Sequence, residues 1–173
     1  MKSPKAILFM IILLLSFPVF AESGIWCGGE ANGTGMIADV SGNVCAQIEI
    51  GARLEVGAII DREYGFYGVG GGSLRLFAKQ YSRFAEVPSY AQFSLGGGGF
   101  YLFENFALAA DISLVAAKIG EDWEIGGELR VCPRFEFAEL DVIRYSVGIP
   151  VSFMYSGNTI RGGLGVAVRM EVY

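Results

Sequence analysis

Apolar and polar residues alternate strictly along residues 43–61. Every second position from Val44 to Ile60 is apolar, whereas charged residues such as Glu49, Arg53 and Glu55 fall between them. A side-chain period of two predicts an extended strand with two different faces, because successive Cβ atoms of a strand point to opposite sides. This strand is much longer than the ~5–6 residues of an average strand. The fold must therefore favour long strands.

The alternation recurs along the rest of the chain and predicts a series of two-faced strands. They cover residues 43–61, 66–79, 91–103, 106–116, 125–135, 143–153 and 160–172. The links between them are tight on one side, over 61–65, 104–105 and 136–141, and on the other side they cover 80–90, 118–123 and 156–159. This order is typical of an up-and-down meander.

A closed meander whose two chain ends share one side needs an even number of strands. Residues 25–40 would supply the eighth strand, although the glycines within residues 28–33 interrupt the pattern. A plug or a disordered lead is the alternative for this segment. Closure of the ring removes the exposed edges of the sheet. The sequence therefore predicts an all-β fold, an eight-stranded antiparallel up-and-down β-barrel.

The polar face indicates which environment the barrel occupies. A soluble periplasmic or secreted ligand-binding barrel turns its apolar face inward, whereas an outer-membrane barrel turns it to lipid. Glycines on the polar face suit a narrow bore, in which small residues lie beside long ones; they are Gly51, Gly57, Gly71, Gly96, Gly98, Gly126, Gly148, Gly163 and Gly165. Aromatic residues gather near the tight links, as at a membrane interface; they are Tyr64, Phe66, Phe103, Phe106, Phe135, Phe137, Tyr145 and Tyr173. We therefore expect a transmembrane barrel.

The stretch GGGGFYLFENFALAADISLVA, from Gly96 to Ala116, resembles part of a known family. Small eight-stranded outer-membrane barrels of the OmpA, OmpX, opacity and OmpW kind share its glycine–aromatic strand, short asparagine-containing turn and alternating return strand. The resemblance implies a monomer in the bacterial outer membrane, with the lipid bilayer and the outer-membrane assembly machinery as partners. Such proteins usually end in an aromatic residue in phase with the lipid-facing positions. Tyr173 departs from this pattern, because it is out of phase with Met170 and Val172.

The first residues of the chain predict export. Two lysines precede an apolar run that ends in a small-residue cleavage site at Ala21, which is typical of a secretory signal peptide over residues 1–21. The barrel domain would then cover residues 22–173, and an uncleaved anchor is the alternative. Lipidation at Cys27 is not expected, because Trp26 stands where a small residue is needed.

Composition narrows the classes of function. Removal of the two signal-peptide lysines changes the formal net charge from −5 to −7, which argues against nucleic acid as a partner. Cys27, Cys45 and Cys132 are an odd number for an exported chain, so at most one internal disulfide can form. The chain has no histidine, and histidine-dependent outer-membrane acyltransferases, deacylases, proteases and phospholipases are therefore not expected. No cofactor or metal is predicted.

Charged residues of the polar face are candidates for lining the bore. They are Glu49, Arg53, Glu55, Arg75, Asp111, Glu128, Arg130, Arg144, Arg161, Arg169 and Glu171. An eight-stranded interior is only wide enough to be filled by side chains, so ion pairs that plug the bore are one interpretation. The other is a narrow polar pore that passes small solutes.

Pro150 lies inside a predicted strand, where it removes a hydrogen-bond donor of the sheet. We predict a break in the strand there, and one hypothesis is that a small apolar molecule leaves the barrel sideways into lipid at this point. The sequence therefore indicates a non-enzymatic outer-membrane barrel, either a narrow channel or a structural protein. A surface protein that binds ligands through its outward loops is the alternative.

Overall fold

A computed structural model describes residues 24–40, 43–61, 63–80, 90–119, 121–140, 142–157 and 159–172. The predicted signal peptide, the link over 81–89 and Tyr173 lie outside the described residues. Among the residues described, no helix is long and apolar enough to cross a membrane.

Within the described residues, nine strands form one antiparallel sheet. They are β1 (Gly24–Val40), β2 (Asn43–Ile60), β3 (Tyr64–Gln80), β4 (Tyr90–Phe103), β5 (Phe106–Ile119), β6 (Asp122–Leu140), β7 (Ile143–Gly148), β8 (Val151–Ser156) and β9 (Thr159–Val172). Each strand up to β6 pairs with its neighbours in the chain, and β1 also pairs with β9. The sheet is therefore closed, and it has no free edge within the described residues.

The ring has eight wall positions, because β7 and β8 are successive halves of one of them. Both halves pair with β6 on one side and with β9 on the other. The prediction of an eight-stranded up-and-down barrel is confirmed. The doubtful segment 25–40 is the strand β1, which pairs with β2 from Gly24 to Val40 without a register shift.

Two predicted links are each four residues shorter than the sequence indicated. The link over 136–141 is wrong, because β6 continues to Leu140 and pairs with β7 as far as Ile143. A register shift between Glu136 and Ala138 disturbs the alternation there, which explains why the strand end was missed. Likewise β5 runs to Ile119 and β6 begins at Asp122, so the predicted link over 118–123 is reduced to two residues.

The apolar face of the barrel lies outside. Ile48, Leu114 and Val166 are 50%, 73% and 58% exposed, whereas Arg53 and Glu128 are only 6% and 7% exposed. Charged residues therefore occupy the interior, and the apolar side chains cover the outer wall. A soluble barrel with an apolar cavity would have the reverse arrangement.

Glycines make room for the large side chains in the bore. Each of the nine glycines predicted to face inward would bring an added Cβ within 3.0 Å of a neighbouring atom. At Gly98, for example, the Cβ would lie 2.2 Å from the carbonyl oxygen of Ala110 and 2.6 Å from the Cβ of Asp111. Gly33 faces outward, and an added Cβ there would meet nothing within 4 Å. The inward glycines are thus required by close packing.

We expect Gly98→Ala and Gly33→Ala to differ sharply in stability. Gly98→Ala forces the β4–β5 ladder apart, and overpacking of this kind costs roughly 1–3 kcal/mol. Gly33→Ala meets no neighbour and reduces the entropy of the unfolded chain, so a change within about 1 kcal/mol is expected. Urea titration of the folded barrel in detergent micelles measures both. Equal destabilisation by the two variants would contradict the role assigned to the inward glycines.

Candidate functional site in the barrel bore

Buried charged side chains fill the middle of the bore. They lie on β1, β2, β5, β6 and β9, at positions that alternate with exposed ones, so the two-residue period places them inside. The buried members are Glu30, Glu49, Arg53, Glu55, Asp111, Glu128, Arg130, Arg134, Arg161, Arg169 and Glu171. Arginine fits such a site, because its planar guanidinium donates several hydrogen bonds in fixed directions.

One cluster of ion pairs crosses the bore from wall to wall. Arg53 on β2 donates to Asp111 on β5 at 2.5 Å. Arg130 on β6 donates to Glu30 on β1, and its other terminal nitrogen lies 3.8 Å from Asp111. The Tyr67 hydroxyl donates to Asp111 at 3.2 Å. This cluster links strands that are not neighbours in the ring.

A second cluster lies next to the first. Arg169 on β9 donates to Glu55 on β2 at 2.5 Å, and Arg134 on β6 donates to the same carboxylate at 3.4 Å. Glu171 pairs with Arg169 and lies 3.8 Å from Arg134. Two arginines and two carboxylates therefore neutralise one another, as charges removed from water require.

Aromatic side chains pack inside the bore near the end at which β1 begins and β9 ends. Trp26 packs edge-on against Tyr67 and Phe100, with ring centroids 5.9 and 5.6 Å apart. Tyr67 stacks on Phe100 at 6.3 Å, and the Arg169 guanidinium lies 4.9 Å from the Trp26 ring. We call Trp26, Tyr67 and Phe100 the inner aromatic layer.

A second layer lies towards the opposite end of the bore. Tyr90 is buried with Val115, Ala117 and Met154. The Arg161 guanidinium stacks 3.6 Å from the centre of the Tyr90 ring, an arrangement in which the ring face attracts the cation. Tyr90, Val115, Ala117, Met154 and Arg161 form what we call the outer layer.

The space left between the two layers is small and polar. A cavity of about 40 Å³ is lined by Asn32, Thr34, Met36, Glu49, Arg53, Gly72, Ser73, Gln92, Ser94, Glu128, Arg130, Pro150 and Ser152. One water molecule needs ~10–15 Å³ measured in this way, so the cavity has room for a few waters. A second cavity of about 10 Å³ lies beside Arg134 and Glu171.

The bore-lining candidates do not all lie in these clusters. Arg144 lies at a rim of the barrel, where it donates to Glu139 at 3.1 Å and both side chains are partly exposed. Arg75 is half-buried, and its guanidinium lies 5.2 Å from the Tyr90 ring. The remaining candidates are buried inside the bore.

Sequence reasoning missed Glu30 and Trp26. Both lie on β1, where glycines interrupt the alternation of apolar and polar residues, so the two faces of this strand were not recognised in the sequence. The sequence did place Arg134 on the inward face, but the residue was not among the bore-lining candidates. Glu30 shares the parity of Trp26 and Asn32 along β1, and that spacing was the signal available in the sequence.

The strand that consists of β7 and β8 is interrupted at Ile149 and Pro150. The sheet keeps hydrogen bonds on both sides of the interruption, because Ile149 N donates to the Pro133 carbonyl at 3.0 Å and Gly165 N donates to the Pro150 carbonyl at 2.9 Å. Pro133 on β6 lies opposite this point, so two adjacent strands lack a donor at one level. Pro150 is buried and lines the larger cavity.

In the part of the chain that the structure describes, no group of three acidic or cysteine side chains lies close enough together to hold a metal ion. Cys27 is exposed on the outer face and Cys132 is buried, and neither is in a disulfide.

We expect two glutamate-to-glutamine variants to show that a buried ion pair contributes more to the stability of the barrel than an exposed one. Glu55→Gln leaves Arg134 and Arg169 with Glu171 as their remaining carboxylate, and loss of one partner of a buried pair costs about 3–5 kcal/mol. Glu139→Gln removes a pair with a carboxylate that is 60% exposed, and such pairs contribute about 0–1 kcal/mol. Urea unfolding followed by tryptophan fluorescence measures both. Similar costs would show that the buried clusters do not stabilise the barrel.

Comparison with known proteins gives a fold but no sequence family. No family model matches the chain, and no characterised protein matches its sequence. Neisserial surface protein A has a similar structure, with a TM-score of 0.61 and 18% identity over 85% of this chain and 97% of that chain. Ail, the attachment invasion locus protein of Yersinia pestis, solved in complex with the heparin analogue sucrose octasulfate, is similar with a TM-score of 0.50 and 8% identity, over 85% of this chain and 98% of that chain. The chain thus has the fold of the small eight-stranded outer-membrane β-barrel proteins.

Proposed function

We propose that the protein is an integral barrel of the bacterial outer membrane whose bore is closed, and that it acts as a structural or surface barrel rather than as an open channel. The observation that carries this proposal is the pair of ion-pair clusters across the bore. They join β1, β2, β5, β6 and β9 through buried contacts.

The outer wall supports a place in a lipid bilayer. Lipid-spanning strands need ~9–11 tilted residues, and each wall position between β1 and β9 reaches that length. Exposed aromatic side chains gather near the links 61–63, 104–105 and 141–142; they are Tyr64, Phe66, Tyr101, Phe103, Phe106, Phe135 and Phe137. Aromatic belts of this kind lie at membrane interfaces. Only a closed barrel satisfies all backbone groups of strands in hydrocarbon.

The contents of the bore favour closure over a narrow pore. A pore needs a continuous aqueous path, but the inner aromatic layer and the outer layer lie on either side of a cavity of about 40 Å³. Opening a path would separate buried arginines from their carboxylates, which leaves charges unpaired and costs several kcal/mol for each pair. The ion pairs therefore favour a bore that stays filled.

A role in surface binding would depend mainly on one link. At the end of the barrel opposite the aromatic belt, the links cover residues 41–42, 81–89, 120–121 and 157–158. A stable protein–protein interface buries about 800 Å² on each partner. Links of two residues offer little of that area, so residues 81–89 would have to supply most of a binding surface.

The purified barrel should not conduct ions in planar lipid bilayers. We expect a current equal to that of the protein-free bilayer at all applied voltages, because both layers and both ion-pair clusters obstruct the bore. Heat-modifiable gel migration establishes that the inserted protein is folded, and a bacterial porin in the same bilayers shows that channels are detected. Stepwise currents from the folded protein would overturn the closed bore.

Arginine substitutions at different depths test the membrane orientation. Ile112 and Ile25 are 68% and 69% exposed, but Ile112 lies in the middle of β5 and Ile25 at the start of β1. Ile112→Arg should cost roughly 2–4 kcal/mol of folding free energy in lipid vesicles, and Ile25→Arg about 0–1 kcal/mol, because the cost of a lipid-facing charge falls towards the interface. Urea titrations in vesicles measure both. Equal costs for the two variants would argue against a lipid bilayer around the middle of the barrel wall.

A further inference from the structure

Pro133 and Pro150 lie at one level in the middle of the barrel wall. The registers of β6 with β7 and β8 place Pro133 opposite Ile149, and those of β9 with the same strands place Gly165 opposite Pro150. In each pair one backbone hydrogen bond forms, with the proline carbonyl as acceptor. The return bond is missing, because proline has no N–H. The carbonyl oxygens of Ile149 and Gly165 therefore lose their ladder donor.

The inner side of the wall is polar and open at this level. A carbonyl group without a donor is unfavourable in hydrocarbon, which surrounds the outer side. On the inner side, Pro150 and Ser152 line the larger cavity. The residues that face them on β9, Gly165 and Gly163, have no side chain that could cover the backbone. Water in the cavity can therefore reach the backbone groups at this level.

No buried ion pair holds the strand that consists of β7 and β8 within the described residues. The two ion-pair clusters join β1, β2, β5, β6 and β9. The buried polar side chains of β7 and β8 are those of Ser146, Ser152 and Ser156, and Arg144 pairs only at the rim. This strand therefore depends on its backbone hydrogen bonds more than the ion-paired strands do.

Cys132 lies inside the bore next to the interruption. The residue is 1% exposed, and its Sγ is 3.7 Å from the Pro133 carbonyl oxygen. Gly148, the last residue of β7, packs against it so closely that an added Cβ there would lie 2.7 Å from this Sγ. The thiol is thus shielded by β7, and it becomes accessible when β7 moves away from β6.

From this arrangement we infer that the wall opens locally at Ile149 and Pro150. β7 and β8 separate briefly from β6 at this level while the rest of the barrel stays folded. The level has fewer backbone hydrogen bonds than the ladder on either side of it, and cavity water hydrates the groups that the opening exposes. Both ion-pair clusters stay intact. The opening goes beyond the closed bore proposed above, and its test measures thiol reactivity rather than conductance.

The rate at which N-ethylmaleimide modifies Cys132 in the folded barrel tests the opening. The barrel is treated in detergent micelles, and mass spectrometry of its fragments locates the modified cysteine. We expect the wild type to react at Cys132 while it remains folded. Pro150→Val and Pro133→Val each restore one N–H on a different side of the strand. Each should slow the reaction roughly tenfold, because a buried carbonyl regains its hydrogen bond.

The same rate distinguishes local opening from unfolding of the whole barrel. Below the unfolding transition the wild-type rate should change little with urea, because a local opening exposes little surface. Gly71→Ala is the matched control on the opposite wall, where an added Cβ would lie 2.7 Å from the Ala52 carbonyl oxygen. It should destabilise the barrel but leave the rate at Cys132 unchanged.

Three results would overturn the local opening. One is a Cys132 thiol that does not react in the folded wild type. Another is a rate that rises steeply with urea or in Gly71→Ala, since the thiol would then react only after unfolding of the whole barrel. The third is an unchanged rate in the folded Pro150→Val or Pro133→Val barrel, since the missing donors would then have no part in the exposure of the thiol.

Discussion

The structure depends on one constraint, which is that charges enclosed by a ring of strands must find their partners across the bore. Backbone hydrogen bonds close the wall, but they do not determine what fills it. Arg53–Asp111 and Arg169–Glu55, each 2.5 Å long, connect walls that the hydrogen-bond ladder joins only indirectly. Because breaking a buried pair leaves an uncompensated charge, each contact stabilises the relative positions of distant strands. The ion pairs thus hold distant strands in place across the bore, as apolar packing does in the core of a soluble protein.

Glycines and arginines are two parts of one solution to this constraint. A guanidinium that reaches across the bore needs space beside its own strand and opposite it. The nine inward glycines add no side chain to the bore, and an added Cβ at each of them would meet a neighbouring atom, most often in the backbone of the adjacent strand, within 3.0 Å. On the outer wall, an added Cβ at Gly33 or Gly162 meets nothing within 4 Å. Gly33 and Gly162 therefore have room for a side chain that the nine inward glycines do not have.

The two-residue period predicted most of the fold and the direction of its faces, because alternation is a local property of a strand. It did not identify β1 clearly, because Gly29, Gly33 and Gly35 occupy outward positions there and give no apolar signal. The ion pairs were beyond reach for another reason. Arg53 and Asp111 are 58 residues apart, and Arg169 and Glu55 are 114 apart. Which charges meet depends on the register and tilt of the whole ring, and single-strand periodicity carries neither.

The hypothesis of a sideways exit at Pro150 can be weighed against the contents of the bore. Pro133 and Pro150 remove two donors at one level of the wall, so the ladder is weaker there than elsewhere. Yet the cavity behind Pro150 contains Glu128 and Arg130. An apolar molecule in that cavity would displace water from these charges without replacing its hydrogen bonds, which is unfavourable. A weak point in the wall is useful for lateral release only if the space behind it accepts the solute. The polar lining therefore favours a stable, closed barrel over a path for hydrophobic molecules.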